Sequence, residues 1–246
     1  MKNLDFSIIT VCYNAADTIA STIKSVQAQR HISLEHIIID GQSTDNTLCI
    51  IKDISDHRTY IISEADNGIY DAMNKGARLA SGKYLIWLNA DDCLASHTVL
   101  SDILAQLKPH DEVFCGSIEM IDKAGHTKRN WNARTCLYFG GRMFVQAPHP
   151  GFIVKNEVFK ERKMAYDTRL KIAADMDLML RLRQLGHKFR FSDIIVTKML
   201  IGGESTAGFR STLVGWYESY QVLKKYFLIF AFPVLVLRIL TKFIHK

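Results

Sequence analysis

The stretch Tyr84-Leu85-Ile86-Trp87-Leu88-Asn89-Ala90-Asp91-Asp92 runs apolar and then ends abruptly in an amide and two adjacent carboxylates. Neighbouring carboxylates repel each other and keep their charges cheaply only beside a cation. Asp91 and Asp92 are therefore candidate oxygen ligands for a hard divalent metal such as Mn or Mg, shared with a phosphorylated substrate. The bland alternative is that they cap the following helix, which the pattern starts near His97 or Thr98. Five residues of separation argue against that.

An apolar run of this kind reads as a buried strand of a parallel sheet, and such a sheet presents its functional groups at the carboxyl ends of its strands. The same polar ending recurs along the chain. The run Phe6 to Cys12 leads into Tyr13 and Asn14, Leu34 to Ile39 into Asp40, and Tyr60 to Ser63 into Glu64 and Asp66. Helical spacing at Ile19, Ile23 and Val26, a helix through Ile54, and another over Tyr70 to Ala80 alternate with those strands. That alternation predicts an α/β fold with a Rossmann-type, mainly parallel sheet and flanking helices. The strand ends would then converge on one pocket. Asp40 suits a base or sugar donor, Gly41 lets the chain pass close to a ligand, and Asp45 reads as a cap of the next helix.

After a fifth strand at Glu112 to Cys115 the order changes, with short β-like pieces, a turn at Gly140-Gly141 and a helix from Ala174 to Leu185. Asp175 and Asp177 on that helix are too close in sequence to share a face, so they have different jobs. Asp175 is either a base projecting from the helix start into a cleft or an acid that compensates the helix dipole; its position alone does not separate the two. His149, between Pro148 and Pro150, is expected in a stiff, extended loop, as a structural hydrogen-bonder or a substrate contact. Gly202-Gly203-Glu204-Ser205 reads, on its residues, as an ordinary turn.

With 246 residues, 48% of them hydrophobic and 23% charged, the chain can bury one large core. We divide it into a main domain over 1–215 and a carboxyl-terminal apolar and basic helical segment over 216–246. The net charge of +6 comes without a block of basic residues interleaved with aromatics in the first two hundred positions, which argues against a nucleic-acid partner. Cys12, Cys49, Cys93, Cys115 and Cys136 lack paired spacing and read as small core residues in a reducing compartment. The first apolar run is short, β-branched and preceded by Asp5, so no signal peptide is expected. Tyr226 to Leu237 is uncharged between Lys224-Lys225 and the cations Arg238, Lys242 and Lys246. Its twelve residues are too few to cross a bilayer, which takes about twenty. The segment suits either the headgroup boundary of an anionic membrane or packing on protein.

Taken in order, Ser7 to Asn14, Ile38 to Thr47, Ser63 to Gly76, Leu88 to Asp92 and Ala173 to Leu182 resemble the inverting nucleotide-sugar glycosyltransferases of family 2, which have the GT-A fold. The resemblance spans roughly residues 5 to 205. It implies that Tyr13, Asn14, Asp40, Asp66, Ala90 and Asp91 hold the nucleotide, with Asp40 on the base. It further implies that Asp91, with Asp92, binds the metal on the diphosphate, that Asp175 is the catalytic base, and that His149 and Glu204 meet the acceptor or donor sugar. The implied partners are a nucleotide-sugar donor, UDP-linked before others, and a glycan or lipid-linked acceptor, as in surface polysaccharide biosynthesis. The implied place is the cytoplasmic face of the cell membrane, with oligomerisation left open. Asn89 departs from the pattern: it stands where the family has the first Asp of an Asp-x-Asp motif, and it brings no charge. A sugar-phosphate nucleotidyltransferase would share the metal acids, but its Gly-rich, Arg-containing loop is missing after the first strand. A catalytically inactive binding protein is the non-enzyme alternative.

Overall fold

The computed structural model describes residues 4–134, 147–161, 164–202, 209–228, 231–233 and 235–236. The amino-terminal part alternates as expected: β1 (Phe6–Cys12), α1 (Ile19–Gln27), β2 (Leu34–Asp40), α2 (Thr47–Ile54), β3 (Thr59–Ser63), α3 (Ile69–Leu79) and β4 (Tyr84–Trp87). Then follow β5 (Asp92–Leu94), α4 (Val99–Gln106), β6 (Val113–Ile121), β7 (Thr127–Trp131), a short 3-10 turn (His149–Gly151) and β8 (Phe152–Lys155). The chain continues with α5 (Asn156–Glu161), α6 (Ala174–Gln184), β9 (Phe189–Leu200) and α7 (Phe209–Phe227).

The sheet order is β3-β2-β1-β4-β8-β6-β9-β5, with β7 paired to β6. Its first four strands are wholly parallel, in a register that aligns Cys12 with Asp40 and Asp40 with Ser63. Beyond β4 the sheet is mixed, because β8 runs antiparallel to both β4 and β6. The expected fifth strand is thus not a further parallel neighbour of β4; β8 intervenes, and β6 extends to Ile121.

Period-two alternation sends Ile9, Val11, Ile37 and Ile39 to one face with Leu85, Trp87 and residues of α3 and α6, while Phe6, Ile8, Tyr84 and Ile86 pack on the other with α4. Both faces are covered, which is why the parallel strands read as unbroken apolar runs. Of the cysteines, Cys12 and Cys115 are buried and Cys93 is half-buried. Cys49, expected in the core, is exposed on α2, and Cys136 lies outside the described residues.

Candidate active site

The loops after β1 and β2 form one hydrogen-bonded unit. Asn14, with a φ of 50°, donates its backbone N–H to Ser43 Oγ at 2.9 Å, while its side-chain oxygen accepts the Thr44 N–H at 2.8 Å. Asp45 accepts the N–H of Thr47 at 2.9 Å and that of Ala16 at 3.2 Å, tying the start of α2 to the same loop. Tyr13 stands beside this unit and is 63% exposed.

Asp40 is fully buried. Its carboxylate accepts the Ser43 hydroxyl at 2.5 Å, the Ser63 hydroxyl at 2.6 Å and the Ser43 N–H at 3.2 Å. The expected direct contact with a nucleotide base is therefore not presented by this conformation, in which Asp40 fixes the loop carrying Ser43 and Thr44. The buried Cys12 thiol beneath it is pushed far up by burial and by the Asp40 charge, so it stays protonated. Gly41 also serves a neighbour: a Cβ there would fall 2.6 Å from Asp66 Oδ2. Asp66 in turn accepts the N–H of Gly68, at 2.8 Å, where the chain enters α3.

After β4 the chain turns tightly, with the Asp92 N–H donating to the Asn89 carbonyl at 3.1 Å, and the Ala90 carbonyl accepts the Thr22 hydroxyl of α1 at 2.9 Å. Asp92 opens β5, paired opposite Met199 of β9. It does not cap α4, which begins at Val99 behind Thr98. Burial raises the pKa of Asp91, and burial together with the Asp91 charge raises that of Asp92 well above the carboxylate range. Nearby groups of Leu200 and Asn89 offset only part of that rise. Both Asp92 carboxylate oxygens and Asn89 Oδ1 are buried with no hydrogen-bond partner among the described residues. A cation would relieve that state, and amide and carboxylate oxygens are the donors that Mg or Mn takes, so the residues fit a hard divalent metal. Among the described residues, no group of three His, Cys, Asp or Glu side chains comes together to hold one.

Asp175 stands in the first turn of α6, half-buried, with Oδ1 on the Met176 N–H at 2.8 Å. Its charge acts on three rings, Tyr70, Tyr166 and His149. Tyr70 stacks on Tyr166 at 5.3 Å, and His149 Nε2 lies 2.9 Å from the Tyr166 hydroxyl. Trp87 of β4 meets Tyr166 edge-on at 5.2 Å. The backbone of Tyr166 is bracketed by Asn74 of α3, which accepts its N–H at 2.8 Å and donates to its carbonyl at 2.9 Å. His149 opens the 3-10 turn instead of an extended loop, and burial lowers its pKa against the opposing pull of Asp175, which keeps the ring neutral at neutral pH.

Glu204 lies outside the described residues. Asp177, as its spacing requires, has another job: it is 2% exposed and accepts from Arg181 at 3.0 Å, Lys225 at 2.9 Å and the Tyr226 hydroxyl at 3.0 Å. Val222, Leu223 and Ala231 are buried against Ala173, Met176 and Leu180. A domain boundary at 215 thus falls inside a helix that packs on α6. Tyr70, Tyr166 and Glu218 were not singled out by sequence reasoning. Tyr70 lies within Ser63 to Gly76, one of the segments that carry the family resemblance, whereas Tyr166 and Glu218 carry no local signal.

The family model Glycosyl transferase family 2 matches residues 7–168. An uncharacterized glycosyltransferase of Mycobacterium tuberculosis is 30% identical over 179 residues, covering 71% of this chain and 67% of the relative. The structure of S. aureus TarS 1-349 in complex with UDP-GlcNAc superposes with a TM-score of 0.73 at 17% identity, over 89% of this chain and 65% of that one. The mannosyltransferase PcManGT from Pyrobaculum calidifontis, in complex with GDP-Man and Mn2+, superposes at 0.64 and 15% identity, over 90% of this chain and 65% of that one. This chain thus spans a little under two thirds of those solved structures. With a family match over more than half its length, on the sheet that builds the site, the chain belongs to glycosyl transferase family 2.

Proposed function

We propose that the chain is an inverting glycosyltransferase that uses a divalent metal and moves a sugar from a nucleotide-linked donor, UDP-linked before others, to a hydroxyl of a glycan or lipid-linked acceptor. The observation that carries this reading is the aromatic bridge from Trp87 through Tyr166 to the neighbourhood of Asp175. It ties the strand that leads to Asp91 to the helix that carries a half-buried carboxylate. UDP-GlcNAc in the TarS structure supports the donor class, and Mn2+ in the PcManGT structure supports the metal.

In this reading Tyr13, Asn14 and the Ser43-Thr44 loop border the nucleotide, with Asp40 and Asp66 setting their backbone. Asn89, Asp91 and Asp92 would hold a divalent cation, which neutralises diphosphate charge when bound. Asp175 takes the proton from the acceptor hydroxyl, whose oxygen bonds to the anomeric carbon as the bond to the nucleoside diphosphate breaks. A single displacement inverts that carbon. His149, neutral, is a hydrogen-bonding partner at the sugar and not an acid. The outer face of α7 exposes Leu213, Trp216 and Tyr217, and with the basic tail it suits peripheral contact with an anionic membrane at its cytoplasmic face. No helix among the described residues is long and apolar enough to cross a bilayer.

The test is a thermal-shift panel of UDP-, GDP- and dTDP-hexoses with and without MnCl2, followed by nucleotide release and the anomeric configuration of the product. A sugar nucleotide that raises Tm in manganese, with little rise for Asp91→Ala, and an inverted product are expected. A Tm unmoved by every donor, or a retained configuration, overturns the reading.

A further inference from the structure

The helix that carries Asp175 starts without a capping side chain of its own. Ala173 stands at its N-cap and Ala174 opens its first turn, and neither offers an acceptor to the free N–H groups there. Within that first turn Asp175 itself accepts the Met176 N–H, and an acceptor for the N-cap residue and the two residues before it comes from far along the chain. Glu218 of α7, 8% exposed, takes the N–H groups of Lys171 and Ile172 at 2.8 Å each and that of Ala173 at 3.1 Å. Charge-assisted bonds of this kind are shorter and stronger than neutral ones, and three in succession fix the backbone of the turn that delivers Asp175.

Another contact holds the same turn. The Tyr70 hydroxyl donates to the Ile172 carbonyl at 2.8 Å. Beyond Asp175, Asp177 is gripped by Lys225 and Tyr226 of the same α7. Glu218 and Asp175 also bear on one ring, because burial and both charges raise the Tyr70 pKa. The backbone on either side of Asp175 is thus held by the carboxyl-terminal helix.

We propose that Glu218 is a positioning residue for the catalytic base: by holding the 171–173 turn it sets where the Asp175 carboxylate stands, which makes α7 part of the transfer machinery. The inference rests on the reading of Asp175 as the base. A misplacement on the order of 1 Å costs about a hundredfold in rate, whereas a staple that only stabilised the fold would weaken donor binding along with turnover.

The experiment is a double-mutant cycle of Glu218→Gln and Asp175→Asn, read as nucleotide release from whichever UDP-, GDP- or dTDP-hexose the parent turns over fastest in manganese. The Kd of the matching nucleoside diphosphate is measured beside it. Glu218→Gln is expected to lower kcat about 10- to 100-fold with Kd changed less than about threefold, and to cost nothing further once Asp175 is Asn. Glu218→Asp, which keeps the charge on a shorter arm, serves as the milder variant and should lose less. If either variant lowers kcat only in step with nucleotide binding, or if the losses add in the double variant, Glu218 is a fold element and the proposal falls. An unchanged kcat in Glu218→Gln overturns it as well. If Asp175→Asn itself turns over like the parent, the base assignment fails and takes this inference with it.

Discussion

The two sides of the candidate site are built from different materials. Around Asp40 the bonds join loops at neighbouring strand ends, where Ser43, Thr44, Asn14 and Ser63 meet a short distance from the strands that carry them. Around Asp175 the support is aromatic and remote: Tyr166 beside it is fixed by Asn74 of α3, and the turn before it is fixed by Glu218 of α7. The proposed donor side is a property of the parallel sheet, and the proposed base side of how distant helices pack on it.

If that division is real, the largest effect comes from removing the base without touching the donor side. Asp175→Asn is expected to lower kcat by about a hundredfold or more, the usual worth of a general base, while nucleotide Kd stays near the parent value. An equal loss of nucleotide affinity would move Asp175 to the donor side and collapse the distinction. Next in size is the anchor of α7. Asp177→Ala removes the acceptor shared by Arg181, Lys225 and Tyr226 and is expected to cost about 2–3 kcal/mol in denaturant unfolding, since hydrogen bonds to charged groups are the costly ones to break. A change below about 0.5 kcal/mol would show that the Asp177 contacts contribute little to how α7 holds α6.

The same division explains what was legible in the sequence. A parallel strand is buried on both faces, so its apolar run and its polar ending can be read directly; Phe6–Cys12, Leu34–Asp40 and Tyr84–Trp87 end where expected. The proposed role of Asp91 rests on that pattern. β5 and β8 are only three and four residues long and owe their state to pairing with β9, β4 and β6, which no local pattern announces. A carboxylate at a strand end reads as open in the sequence, whereas the neighbouring loops bring Ser43 and Ser63 onto Asp40. Glu218 could not be read at all. Its partners are backbone N–H groups 45 to 47 residues away, and backbone groups leave no trace in a sequence.

Acid tests the donor side in the opposite way. His36 of β2 is 1% exposed, with Nε2 at 2.9 Å from the Thr10 hydroxyl of β1, and its pKa is lowered to about 3 by burial and by Arg58, with Asp56 opposing. The unfolded chain therefore binds this proton more readily than the folded one, so stability is full above pH of about 6.5 and is lost as the pH falls towards 3. By pH 5 the loss from this group amounts to about 2 kcal/mol. His36→Gln, which has no titration there, should show a flatter dependence of denaturant stability between pH 7 and pH 5. Parallel curves for parent and variant would place the acid sensitivity elsewhere.

The smallest effect tests whether the donor side is built around a cation. Asn89 Oδ1 and both Asp92 oxygens are buried without partners among the described residues, and Asp91 beside them already has a raised pKa. Without metal, Asn89→Asp places another acid in a region where charges are already expensive, so the variant should lose stability, on the order of 1 kcal/mol, and take up a proton. With metal the sign reverses: a charged oxygen in place of an amide oxygen strengthens a hard-cation site, so the Tm rise on adding MnCl2 should be larger for the variant than for the parent. The two opposite signs make the test specific. A variant that loses stability and gains nothing from manganese would show that the orphaned oxygens do not face a cation. In that case the donor side, like the base side, would depend on residues delivered from elsewhere in the chain.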